Sequence, residues 1–194
     1  MHELVAIWTE RKGLAWIGAT AFIYALVLIP FNQLALTVAG ISIRPAAALP
    51  VLFGILFGPA SAWGLAIGNI AGDLYGSWSP MSIFGFITNF IAPYLSYLLW
   101  HRLMRGQEIK VNRVSTGFYL LVSFVVIFSC MLLLAGCGTA FFSRPFASKF
   151  ISYFGNNIAW ALTAGLVLFW LVLEPAARNG YVYGREWARK RNTH

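Results

Sequence analysis

The apolar segments of this chain are continuous, with no regular polar alternation, and that feature limits its fold more than any other. A helix crossing a bilayer needs about 20 mainly apolar residues at 1.5 Å rise, whereas a membrane strand would alternate apolar and polar positions. Lipid offers no partner to backbone N–H and C=O groups, so each run must close its own hydrogen bonds as a helix. Hydrophobic residues make up 59% of the 194 positions and charged residues only 10%, with a mean hydropathy of +0.72. Those values exclude an ordinary soluble domain and leave room for about six spans with short loops. The expected fold is an all-α integral membrane protein, a six-transmembrane-helix bundle in the lipid bilayer. It forms one domain: a lead over 1–12, the bundle over 13–173 and a basic tail over 174–194.

The net charge of +8 reads as membrane topology and not as affinity for nucleic acid, because the basic residues flank the apolar runs. Eleven of the 14 Lys and Arg fall in the lead, in the connection 101–113 and in the tail, against Arg44, Arg144 and Lys149 on the other side. That asymmetry places both termini in the cytoplasm and the loops near 31–44, 73–82 and 136–149 outside. The first run begins after Arg11-Lys12, is long enough to span and lacks a suitable small-residue cleavage site, so it is expected to stay as a helix. Cys130 and Cys137 lie seven apart on one expected helix, about 10.5 Å between Cα atoms, too far for a disulfide. Neither these thiols nor the scattered His2, His101 and His194 have zinc spacing.

In order, the expected spans are Gly13 to Pro30, Pro45 to Gly58, Ala60 to Gly72, Ile83 to Trp100, Thr116 to Gly136 and Phe150 to Leu173. The second and third are short, about 21 Å or less against a hydrocarbon core of about 30 Å, and are joined by a tight Gly58-Pro59 turn. Phe31 to Ile43 is apolar, β-branched and interrupted by Gly40, which reads as a structured loop. Ala15, Ala19, Ala21 and Ala25 form small-xxx-small pairs on the first helix, and Gly64, Gly68 and Gly72 form a stripe on the third; both permit close helix approach.

Asp73 is the one acid of six expected in the outer half of the membrane, where an unpartnered carboxylate costs roughly 2.5–3.5 kcal/mol. Arg44 is its candidate ion-pair partner, and direct ligand contact is the other use for the pair. Asn69 shares the helix face of Asp73, while Asn89 and Asn156-Asn157 bring amides from later helices. Trp78, Phe84, Phe86, Phe141, Phe142 and Tyr153 offer stacking surfaces, or an interfacial aromatic belt. No phosphate loop, HExxH, GxSxG or second carboxylate beside Asp73 is present, which argues against an enzyme and against ATP hydrolysis by this chain.

The run from Ile41 to Pro80 resembles the core of the substrate-binding S components of energy-coupling factor (ECF) vitamin transporters. The resemblance rests on Arg44-Pro45, on Gly54-x-x-x-Gly58-Pro59 and on Gly68-Asn69-x-x-x-Asp73, and covers about 75 residues including the first helix. It implies a six-helix bundle in a bacterial or archaeal cell membrane. Its partners would be a transmembrane coupling subunit, touched through Ala15, Ala19, Ala21 and Ala25, and two ATPase subunits. It also implies a small organic micronutrient bound at Arg44, Asn69, Asp73, Trp78, Phe84, Asn89 and Asn156, with no cofactor or metal. The first three lie in matched motif positions and the rest follow from location. The signature looks most like members for cobalamin-like or queuosine-precursor substrates. Met1-His2 resembles the start of nickel and cobalt members, but Glu3 and the charged lead depart from it. A small ion-coupled secondary transporter and an intramembrane enzyme centred on Asp73 are the alternatives.

Overall fold

A computed structural model describes residues 2–34, 36–38, 41–76 and 78–184, and these are mostly helical. Most of the tail's basic residues, from Arg185 onward, lie outside the described residues. After a short helix α1 (His2–Ala6) come α2 (Arg11–Leu34), a two-strand ladder of β1 (Thr37–Val38) and β2 (Ile41–Ser42), and a 3-10 turn over Pro45–Ala48. There follow α3 (Leu49–Phe57), α4 (Pro59–Leu74), α5 (Met81–Leu103) and α6 (Arg113–Phe142). Helix α7 (Phe146–Trp160) then continues through a π turn at Ala161–Gly165 into α8 (Leu166–Arg178). Among the described residues, 11–34, 81–103, 113–142 and 146–178 are long and apolar enough to cross a membrane, and Pro45–Phe57 is a shorter apolar segment.

The structure moves several boundaries. Helix α2 runs through Pro30 to Leu34, because the proline removes only one i to i−4 bond and the helix beyond it remains packed through buried Asn32. Helix α6 likewise reaches Phe142, six residues past the expected end at Gly136, and closes with Ser143 in the left-handed region (φ 50). Its N-terminus carries a reciprocal cap: the Asn112 side chain accepts from the Ser115 backbone and the Ser115 hydroxyl from the Asn112 backbone. Pro50 sits in the first turn of α3, where its missing N–H leaves no bond unmade. Cys130 is buried, and neither cysteine is in a disulfide.

All nine residues of α3 are buried, the expectation for a helix apolar on every side and enclosed by others. It is separated from α4 by Gly58 alone, at φ 53, a conformation costly for any side chain; a Cβ there would also strike the Tyr183 ring at 2.8 Å. The Gly stripe of α4 packs on the face of α2 that buries Ile17, Thr20, Tyr24 and Leu28. A Cβ at Gly64 would overlap the Thr20 hydroxyl, one at Gly68 would lie 2.6 Å from the Ala21 carbonyl oxygen, and one at Gly72 would lie 2.5 Å from Leu28.

At about 100° per residue, Ala15 and Ala19 point away from this contact while Ala21 and Ala25 flank it, so the two small-residue pairs occupy different faces. Ala15 is exposed, and Gly18 beside it has open space on its flank. The described ends of the chain meet at one end of the bundle. There Tyr97 donates to Glu3 (3.0 Å), Lys12 to the Gly180 carbonyl (2.9 Å) and the Tyr183 N–H to the Leu56 carbonyl (2.7 Å).

Candidate functional site

At the opposite end, the C-terminal halves of α2, α4 and α6, the first half of α5, residues 152–157 of α7 and the segment from Arg44 to Val51 surround a cavity of about 320 Å³. Its apolar wall comes from Leu28, Pro50, Val51, Ala92, Ile127 and Met131. The polar groups arrive from four helices, where each lies on the inward face of its element, and from the connections that carry Arg44, Ser79 and Arg144. On α5, for instance, Ser82, Gly85, Thr88, Asn89 and Ala92 recur at helical spacing toward the cavity.

One hydrogen-bonded chain organises the floor. The Tyr24 hydroxyl donates to Asn89 Oδ1 (2.8 Å), Asn89 Nδ2 to Asn69 Oδ1 (3.0 Å), and Asn69 Nδ2 to Asp73 Oδ2 (3.2 Å). From α2, Asn32 Nδ2 reaches the other oxygen, Asp73 Oδ1, at 3.4 Å. All four of these bonds run toward the carboxylate, which as an anion only accepts. Gly85 makes room for it, since a Cβ there would stand 3.0 Å from Asn69 Nδ2. Asn89 Nδ2 also donates to the Gly85 carbonyl at 2.9 Å, so both its protons are engaged and only its oxygen has capacity to spare.

Arg44 and Asp73 line the same cavity from different anchors. Asp73, 7% exposed, is held by amides of α2 and α4, whereas the Arg44 backbone N–H is fixed across the cavity by Asn156 Oδ1 of α7 at 3.0 Å. Arg144 joins them at the rim, turned there by the left-handed Ser143 and tied by its N–H to the Gly138 carbonyl at 3.1 Å.

Of the seven residues expected at a binding site, five converge on the cavity: Arg44, Asn69, Asp73, Asn89 and Asn156. Trp78 and Phe84 are not among its lining residues. Trp78 is 54% exposed after α4, and Phe84 stacks on Phe141 with ring centroids 5.4 Å apart. Phe84 sits about 100° around α5 from the inward Gly85, which explains the miss. Tyr24, Thr88, Arg144 and Asn157 line the cavity without having been picked out as site residues. Tyr24 was the legible one, since it falls in register with Thr20, Leu28 and Asn32 on the packed face of α2.

A single carboxylate among hydroxyls and amides provides no acid–base pair, and among the described residues no group of three His, Cys, Asp or Glu could hold a metal. The arrangement is suited to hold a small polar molecule by hydrogen bonds inside an apolar shell. The QueT transporter family model matches residues 14–174, which takes in every element of the cavity. The chain belongs to the QueT transporter family. These are ECF-type S components for queuosine precursors, multi-pass membrane proteins that bind small organic substrates and work with energy-coupling modules. No curated protein and no solved structure is significantly similar to the chain.

Proposed function

We propose that this QueT chain is the substrate-specific subunit of an ECF-type importer that takes up a queuosine precursor. The carrying observation is the cavity itself: about 320 Å³, apolar-walled and lined by four asparagines from three helices. That volume is at the low end for small-molecule pockets. It suits a bicyclic base of the 7-deazaguanine type, the chemistry of queuosine precursors, and is far too small for a cobalamin-like corrin. The asparagines and Asp73 supply the hydrogen bonds such a base requires, and Tyr153 on α7 adds an aromatic wall.

In this reading the chain makes six passes through a bacterial or archaeal cell membrane, with both termini in the cytoplasm and the cavity open to the outside. A transmembrane coupling subunit and two ATPases drive inward release, because the chain has no nucleotide-binding loop of its own. The coupling subunit meets α2 along Ala15, Gly18 and Ala19, whose outward face is open for close helix contact. Ala21 and Ala25 serve packing inside the bundle. Mass spectrometry of the ligand retained by protein purified in mild detergent tests the assignment. A 7-deazaguanine base is the expected finding, and a retained nutrient of a different class would overturn it.

A further inference from the structure

The four cavity asparagines differ in which end of the amide is left for a ligand, and their orientations are fixed by neighbours of unambiguous polarity. Asn156 Oδ1 accepts from a backbone N–H, that of Arg44, so its Nδ2 faces away from that bond. That NH2 group has no partner among the described residues, although Asn156 is only 7% exposed and lines the cavity. Its neighbour Asn157 is set the other way. Asn157 Nδ2 donates to the Tyr153 carbonyl (2.9 Å) and approaches Met131 Sδ (3.4 Å), which uses both of its protons. Its Oδ1 has no partner among the described residues, and Asn157 also lines the cavity. Two consecutive residues of α7 therefore offer one unspent donor and one unspent acceptor to the same space.

A ligand that fills the cavity displaces water from this NH2 group, so the occupied state must supply it with an acceptor. We infer that Asn156 and Asn157 form a donor–acceptor pair that reads the polarity of the ligand's edge, selecting a ring carbonyl beside a ring N–H. This rests on the reading of the cavity as a base-binding site. It adds Asn157 to the binding residues and gives each amide a direction: Asn156 Nδ2 donates to the carbonyl oxygen of a lactam edge, and Asn157 Oδ1 accepts its N–H.

Two bases of nearly equal size test the pair. 7-Deazaguanine carries the lactam; 2,6-diamino-7-deazapurine replaces the carbonyl by an amino group and the ring N–H by a bare nitrogen, reversing both polarities. Isothermal titration calorimetry on the full chain in detergent should show wild type binding the lactam at least about tenfold more tightly, since two mismatched polar contacts replace two matched ones. Asn156→Asp keeps an oxygen for the Arg44 N–H and exchanges the free donor for an acceptor. It should weaken lactam binding and narrow or invert the ratio. Equal wild-type affinities, or a wild-type ratio retained in Asn156→Asp, would overturn the pair while leaving the base-binding reading intact. Wild type that binds neither base overturns both. Should Asn156→Asp fail to fold, the wild-type comparison of the two bases decides alone.

Discussion

Replacing Asp73 with asparagine changes one oxygen to a nitrogen and should disable the cavity floor. In the native protein both carboxylate oxygens accept, Oδ2 from Asn69 at 3.2 Å and Oδ1 from Asn32 at 3.4 Å. An amide has one acceptor and one NH2, so whichever way it turns, one neighbouring NH2 loses this acceptor and faces another donor, and only Asn32 has a second acceptor, the Gly72 carbonyl at 3.5 Å. Losing a hydrogen bond to a charged group and stranding a buried donor costs about 1–3 kcal/mol, and relief of the carboxylate's own desolvation draws the net toward the lower end. For a chain of this length each kcal/mol moves the thermal midpoint by about 2–4 °C. A drop of roughly 2–6 °C is expected in detergent, followed by intrinsic tryptophan fluorescence. Loss of the anchor also frees Asn69 and then Asn89 to turn over, so affinity for the base, measured by calorimetry, should fall about tenfold or more. An Asp73→Asn protein that melts with wild type and binds with wild-type affinity would refute the view that the carboxylate orients these amides.

Other substitutions separate packing from assembly. Gly54→Ala would place a Cβ against the Pro93 carbonyl and 2.8 Å from both Pro93 Cα and Ser96 Cβ, so α3 and α5 must part. The overpacking should cost about 1–3 kcal/mol in unfolding experiments, and affinity should drop with it because Val51 and Ala92 on these helices wall the cavity. Ala15→Leu combined with Ala19→Leu should leave ligand affinity unchanged and abolish co-purification with the coupling module; intact co-purification would remove α2 from that interface.

How much of this was readable in advance depends on the kind of signal. Gly64, Gly68 and Gly72 announced their role because a four-residue repeat of glycine has one economical use in a membrane helix, and the structure sets α2 against it. The Asn69–Asp73 spacing likewise places both on one helix face, and they bond. What spacing does not carry is the partner from another helix. Arg44 and Asp73 looked complementary as charges, yet Asn32, a residue in a segment read as loop, reaches the carboxylate because α2 continues past Pro30. Phe84 and Trp78 were placed by the outer-side location that the family resemblance implies, a criterion blind to which way a side chain faces about a helix axis. The polarity of Asn156 and Asn157 is set by backbone groups of Arg44 and Tyr153, and only tertiary structure reveals it.

On the proposed function, this chain binds its nutrient by itself and moves it only with an ATPase-driven partner. Purified chain titrated with a queuosine precursor in the absence of ATP, and the same chain reconstituted alone in vesicles bearing a proton or sodium gradient, test both halves together. Saturable binding of one ligand per chain with no net accumulation in the vesicles is the predicted result. Gradient-driven accumulation by the chain alone would contradict it.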